Sequence, residues 1–405
     1  MSEHEWITGG GVTSPAGFRA GSVAAGIKSY GEGARHDLAL LVTDEPCAVA
    51  GLFTRNAVVG EALAWTREQV ARGSTRAVIV NSGNANCCTG DQGAADARRM
   101  AELTAAKLGV APEDVLVGST GVIGRLLPMD RVAAGIAALS PVAGGGDAFA
   151  NAIMTTDTYS KQTAARLRVD GRTYVVGGAA KGSGMIHPDL ATMFGFLTTD
   201  APADPAWLRE TLRAVCDRSF NMVDVDMDTS TCDMVLALAS GAAGGEPVRA
   251  GHPAAAPLAA AFEAIAIRLA RDLARDGEGA RTLIEVVVEG AASDADARRT
   301  ARTISASPLV KTAVTGRDPN WGRVMMAAGR SGSAMDPRRA SVWIGEHCAF
   351  DRGQPTTVDL ALISQAMAAD EVRIRVDLAA GSASATAWGC DLTADYVRIN
   401  AEYTT

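Results

Sequence analysis

Strand-like and helix-like segments are interleaved along the whole chain, and no other property of the sequence limits the fold as much. "TRAVIV" (Thr75 to Val80), "RTYVVGGAAKGSG" and "TLIEVVVEG" carry β-branched runs of strand length. "EVRIRVDL" alternates through Val372, Ile374, Val376 and Leu378, the period of a strand with one buried face. Between these runs lie helical segments such as "DQGAADARRMAELTAAKLG" and "AFEAIAIRLARDLARD". In "DPAWLRETLRAVCDRSF", Asp204 is an expected N-cap, Pro205 suits the first helical position, and Leu208, Leu212 and Val215 repeat at helical spacing. Elements mixed in this way call for an α/β fold of layered sheets covered by helices. "GAAGGEPVRAGHPAAAP" (Gly241 to Pro257) is expected to be a surface loop.

With 405 residues and 47% hydrophobic content, the chain can bury a sizeable core. Its formal net charge is −8, and no Lys/Arg run exceeds two residues, which argues against a nucleic-acid partner. No apolar run reaches the ~18 residues of a membrane span. The start, "MSEHEWITGG", lacks the basic and apolar regions of a signal peptide. Seven scattered cysteines without a C-x-x-C pair read as reduced thiols of a cytosolic protein. G-x-S-x-G, H-E-x-x-H, Walker A and a strand-linked G-x-G-x-x-G are all missing, and the five histidines show no metal-ligand spacing. Hydrolase triads, zinc peptidases and nucleotide binding therefore lose their usual signatures.

One mid-chain segment, "KGSGMIHPDLATMFGFLTTDA", sets Thr192 after the small residue Ala191, downstream of several glycines, Lys181 and Pro188. A threonine hydroxyl is a weak nucleophile unless a base takes its proton, and the α-amine of an N-terminal threonine can be that base. Its pKa near ~8 leaves a useful neutral fraction. Thr192 would reach that state only if the bond after Ala191 were cut, for instance by its own hydroxyl attacking the Ala191 carbonyl. From the segment alone, a core threonine bonded to local backbone is the commoner outcome. Thr120 and Gly121, in "GSTGVIG", follow a strand where a turn can aim a hydroxyl and an N–H at one point, as an oxyanion hole requires.

These segments, with "NSGNANCCTG", "AIMTTDTYSK", "DMDTSTCD", "ARDGEGA", "SPLVKTAVTGRDPNWGR" and "GCDLTADYVRINAEYTT", closely resemble the ornithine acetyltransferase (bifunctional glutamate N-acetyltransferase) family in the same order and over nearly the full length. The resemblance implies an N-terminal-nucleophile-like α/β fold and self-cleavage between Ala191 and Thr192. It implies two associated pieces, Met1–Ala191 and Thr192–Thr405, assembled as a cytoplasmic heterotetramer of two of each. It implies Thr192 as nucleophile, Thr120 and Gly121 as oxyanion hole, and Thr158, Lys181, Thr192, Glu278, Asn400 and Thr405 as substrate contacts. The substrates implied are N2-acetyl-L-ornithine and L-glutamate, with no metal or organic cofactor and no nucleic-acid or membrane partner.

By charge, Lys181 suits a substrate carboxylate and Glu278 the ornithine side-chain ammonium. Glu278 stands between two glycines and is expected to be exposed. "DPNWGR" (Asp318 to Arg323) is expected to support the site structurally. The chain departs from the family pattern at Pro188-Asp189-Leu190, at Met227, where glycine is frequent, and at Cys232, where asparagine is frequent. These departures leave open acetyl transfer on another amino acid in a specialised pathway. An N-terminal-nucleophile amidase or peptidase, with water as acceptor, and a non-catalytic binding protein are the remaining alternatives.

Overall fold

A computed structural model describes residues 4–28, 35–187 and 193–402. In chain order its strands are β1 (His4–Ile7), β2 (Phe18–Val23), β3 (Leu38–Phe53), β4 (Ser74–Asn81), β5 (Val115–Ser119), β6 (Lys161–Val169), β7 (Arg172–Lys181) and β8 (Phe194–Thr199). They continue with β9 (Val223–Asp224), β10 (Met234–Ala239), β11 (Leu283–Ala291), β12 (Ser341–Ile344), β13 (His347–Asp351), β14 (Gln354–Pro355), β15 (Glu371–Asp377) and β16 (Ala383–Cys390). The helices are α1 (Glu61–Val70), α2 (Gly90–Leu108), α3 (Met129–Ala138), α4 (Gly146–Ala152), α5 (Pro205–Arg218) and α6 (Ala255–Arg275). After them come α7 (Asp294–Ser305), α8 (Pro308–Gly316), α9 (Trp321–Gly329), α10 (Leu360–Ala366) and α11 (Ala394–Glu402).

The strands form two sheets. The first runs β1-β6-β7-β8-β10-β3-β4-β5 with β2 added on β3; the second runs β14-β13-β12-β15-β11-β16-β9. The expected α/β layering is therefore present. In β15, Val372, Ile374 and Val376 are buried while Arg373 points out, as the alternation demands. Asp204 caps α5, its Oδ1 accepting from the N–H groups of Ala206 (2.8 Å) and Trp207 (3.2 Å).

Helices α5 and α6 pack against the first sheet, and α6 also meets β11 and β16 of the second, so one core spans both sheets. On α6, Leu258, Phe262, Ile265, Leu269 and Leu273 are fully buried. Burial of such side chains contributes about 1.5–3 kcal/mol each. The Gly241–Pro257 stretch is a loop up to Ala254, and its last three residues open the first turn of α6. This corrects the all-loop expectation: alanines and a proline at N3 are compatible with a helix start. "DPNWGR" opens α9, where Trp321 stacks on Phe350 at 4.6 Å, so its support goes to the second sheet rather than to the cavity described next.

β8 is the hinge of the architecture. All six of its residues are buried, and it pairs antiparallel with β7 and parallel with β10. Lys181 ends β7 directly opposite Phe194 at the start of β8. The connection between the two strands contains the Ala191-Thr192 bond.

Candidate active site

A cavity of about 120 Å³ opens where β5, the end of β7, the 226–232 loop and α11 meet. Thr120, Gly121, Lys181, Glu278 and Asn400 all line it. Five of the expected site residues, spread from position 120 to 400, are thus brought to one place. Ala191, Thr192 and Thr405 lie outside the described residues. Thr158 does not line the cavity. Its hydroxyl and its amide both donate to Asp276.

Thr120 follows β5 and is positioned by its N–H, which donates to the Asn81 carbonyl at 3.1 Å. Gly121 has φ +130°, and a Cβ there would sit 2.4 Å from the Gly83 carbonyl carbon. Backbone meets backbone at this point, so only glycine fits. The pair is therefore rigid, as a preorganised donor must be.

Lys181 is buried, and its Nζ donates to Thr120 Oγ1 at 3.1 Å. With a lone pair of Oγ1 engaged by the ammonium, the Thr120 hydroxyl turns its own hydrogen elsewhere. Behind it, Gly182 N–H donates to Asp157 Oδ1 at 2.6 Å. Asp157 is also held by Lys161 at 2.7 Å, and Lys161 bridges on to Asp276 at 2.6 Å. Burial pushes the Asp157 carboxyl up, but Lys161 and Lys181 outweigh it and hold it at about 2. Asp233, also close to Lys181, is a different case: burial drives its carboxyl well above the usual range against the pull of that ammonium.

Glu278 is buried, which overturns the expectation of an exposed turn glutamate. Its flanking glycines serve close packing: a Cβ on Gly277 would lie 2.6 Å from Cys390 Sγ, and one on Gly279, at φ +70°, 2.5 Å from the Tyr396 N. A third glycine, Gly184, is pressed on the Glu278 carboxylate, where a Cβ would fall 2.5 Å from its carboxyl carbon. Asn400 Nδ2 donates to Glu278 Oε2 at 2.8 Å, so α11 lies against the cavity.

The sequence reading missed the residues that hold the approach to the cleavage segment. Asp226 accepts from the N–H groups of Met185 (2.6 Å) and Ile186 (2.8 Å). His187 Nδ1 lies 2.8 Å from Asp224 Oδ1, and its Nε2 lies 3.3 Å from Arg302. Because the arginine can only donate, Nε2 accepts and Nδ1 carries the hydrogen. Buried Lys311 sits 3.0 Å from Asp224 Oδ2. Burial raises the Asp224 carboxyl, yet Lys311 and His187 together hold it below its usual range. For Asp226 the signal was present in "DMDTSTCD", whose acids the motif reading left unassigned, whereas Asp224, His187 and Lys311 lie outside that motif.

Two of the family departures can be placed in the structure, and the third, Pro188-Asp189-Leu190, lies outside the described residues. Met227 has φ +64° and is exposed, a left-handed position at which glycine would be unstrained. Cys232 is buried in the cavity lining, with Sγ 3.4 Å from the Ala85 carbonyl oxygen. All seven cysteines are free thiols. Among the described residues no group of three or more His, Cys, Asp or Glu side chains is arranged to hold a metal, and no helix is long and apolar enough to cross a membrane.

The ArgJ family matches residues 19–405 of the chain. The arginine biosynthesis bifunctional protein ArgJ of Symbiobacterium thermophilum is 54% identical over 405 residues, covering 99% of this chain and all of that one. Its namesake from Parasynechococcus marenigrum is 48% identical over 98% of this chain and 96% of its own length. A solved chain of the Bacillus halodurans ArgJ protein is 43% identical with a TM-score of 0.50. That match covers 98% of the solved chain but 52% of this one, so the solved chain is about half as long.

Proposed function

The chain belongs to the ArgJ family, and on that premise we propose that it transfers the acetyl group of N2-acetyl-L-ornithine to L-glutamate in arginine biosynthesis. The precursor cuts itself between Ala191 and Thr192, and the freed α-amine of Thr192 becomes the base for its own hydroxyl. Thr192 Oγ attacks the acetyl carbonyl, the amine takes the hydroxyl proton, and that proton passes to the departing nitrogen of ornithine. The acetyl group is then an ester on Thr192. The amine of glutamate attacks this ester and gives up a proton to the same base, which returns it to Thr192 Oγ as the ester bond breaks and N-acetylglutamate leaves. The bifunctional label of the relatives supports a second activity, acetylation of the amino acid from another donor.

The observation that carries this reading is the hydrogen bond from Lys181 to Thr120. It frees the Thr120 hydroxyl proton to face the cavity beside the fixed N–H of Gly121, and it brings a positive charge near the developing oxyanion. Glu278, with Asn400 beside it, lines the same cavity and suits the side-chain ammonium of ornithine. Lys181 retains two further N–H groups for the substrate α-carboxylate. The half-length solved chain of the Bacillus halodurans relative supports a two-piece mature form. In this reading two copies of each piece make a cytoplasmic heterotetramer.

Full-length identity to arginine-biosynthesis relatives weighs against a specialised-pathway substrate and against a hydrolase. Intact mass spectrometry tests the proposal directly. Purified protein should show two chains, the second beginning at Thr192 and gaining one acetyl group when given acetylornithine alone. Glutamate should remove that group as N-acetylglutamate. Thr192→Ala should remain one chain and transfer nothing. A wild type that is active but uncut overturns the mechanism, and fast loss of the acetyl group to water without glutamate makes it an amidase.

A further inference from the structure

Donor and acceptor of the proposed transfer must use one cavity, because the acetyl group waits on one residue between the two half-reactions. Both amino acids present an α-nitrogen and an α-carboxylate. Their side chains end in opposite charges, an ammonium on ornithine and a carboxylate on glutamate. A group that suits the first opposes the second, so Glu278 favours ornithine and repels the γ-carboxylate of glutamate. Glutamate therefore calls for a second cation, besides the one that takes the α-carboxylate.

Among the described lining residues the lysines and arginines are Lys28 and Lys181. Lys181 is committed to Thr120 and, in the proposed reaction, to the α-carboxylate. Lys28, half-buried, comes from the connection between β2 and β3. Each of the three residues before it is fastened. The buried Asp37 carboxylate accepts from the N–H groups of Ala25 (2.7 Å) and Ile27 (2.6 Å), and the Gly26 carbonyl accepts from Arg131 at 2.7 Å. Asp37 is itself tied by its backbone, its N–H donating to the Val23 carbonyl at 3.1 Å and its carbonyl accepting from Ser82 at 2.9 Å. The backbone leading to Lys28 is thus fixed in advance, and the ordering cost of binding a carboxylate there falls mainly on the lysine side chain.

Glu278 and Lys28 are carried by different parts of the fold. Glu278 stands between α6 and β11 and packs on α11 through Gly279 and Asn400. Lys28 is tethered to the start of β3 by Asp37 and to α3 by Arg131. We propose that Lys28 selects the acceptor: its ammonium takes the γ-carboxylate of glutamate, Glu278 takes the ammonium of ornithine, and the α-carboxylate stays on Lys181 in both half-reactions. The inference rests on the acetyl transfer proposed above and extends it to the choice of acceptor.

The test is competition between acceptors for the acetyl-enzyme formed from acetylornithine. Glutamine matches glutamate in shape but lacks the γ charge, and ornithine carries the opposite one. In the wild type, kcat/KM for glutamate should exceed that for glutamine about tenfold or more. Lys28→Met should erase most of that ratio and Lys28→Arg should keep it. Glu278→Gln should act in the other direction, raising the ratio of glutamate to ornithine. A structural role for Lys28 would lower all three acceptors alike and leave the ratios where they were, and that result overturns the assignment. A wild type that does not prefer glutamate to glutamine overturns it as well. Thermal unfolding checks each variant, and Lys28→Gln replaces Lys28→Met if the latter does not fold. Exchange of acetyl between acetylornithine and labelled ornithine, run first on the wild type, separates two failures. No exchange overturns the acetyl-transfer reading and this inference with it, whereas exchange with an undiminished glutamate preference in Lys28→Met overturns the role of Lys28 alone.

Discussion

In the active cavity the principal charges are held by partners within the lining, while the arginines on the far side of the 226–232 loop are held from several directions: Arg299 by Asp296, Arg302 by His187 and Arg330 by the Thr303 carbonyl. Lys181 donates to Thr120, Glu278 accepts from Asn400, and Asp226 is occupied by two backbone N–H groups. A reacting centre needs groups whose positions do not change when charge develops, because reorganisation is what catalysis avoids.

The comparison is broken most severely at Gly121. Gly121→Ala drives a Cβ into the Gly83 backbone at a φ of +130°, so it should abolish acetyl transfer and lower the melting temperature together. Thr120→Ala keeps the backbone but removes one donor. Turnover should fall on the order of 10²–10³ with KM little changed, and an unchanged kcat in a folded, cleaved variant removes Thr120 from the site.

Charge assignment within the cavity should produce smaller effects. Glu278→Gln should lower kcat/KM for acetylornithine about tenfold. It should do less to acetylnorvaline, which has no side-chain cation, whereas Lys181→Met should lower both alike. Equal loss on both substrates from Glu278→Gln would assign Glu278 to structure instead. The smallest effect on turnover is expected at Thr158, whose hydroxyl is spent on Asp276. Thr158→Val should cost about 1.5 kcal/mol of stability, read as a lower urea midpoint. A large rise in KM instead would return Thr158 to the substrate.

What was legible in the sequence followed from local rules. Strand alternation in β15, the Asp204-Pro205 start of α5 and the strand-turn context of Thr120 depend on neighbours in the chain, and each took the expected form. The buried ion pairs were not legible. Lys161 and Asp276 are 115 positions apart, and His187 and Asp224 are 37 apart, so no spacing rule joins them. Glu278 was misread for a different reason. Flanking glycines suggest exposure, but here they mark surfaces that leave no room for a Cβ, against Cys390 and the Tyr396 backbone. Met227 shows the converse: its left-handed φ explains why glycine is the usual choice there, a fact available only from the backbone.

The order of the first sheet has a consequence for a chain severed between β7 and β8. β8 and β10 belong to the second piece, yet they lie between β7 and β3 of the first, paired along six residues on each side. Neither fragment can leave without unzipping both ladders and exposing the core that spans the two sheets. Dilution should therefore not separate the fragments, and labelled and unlabelled fragments should not exchange between native molecules. Dissociation and global unfolding become the same event, so the melting temperature of the severed pair should rise with its concentration, as that of an uncut chain would not.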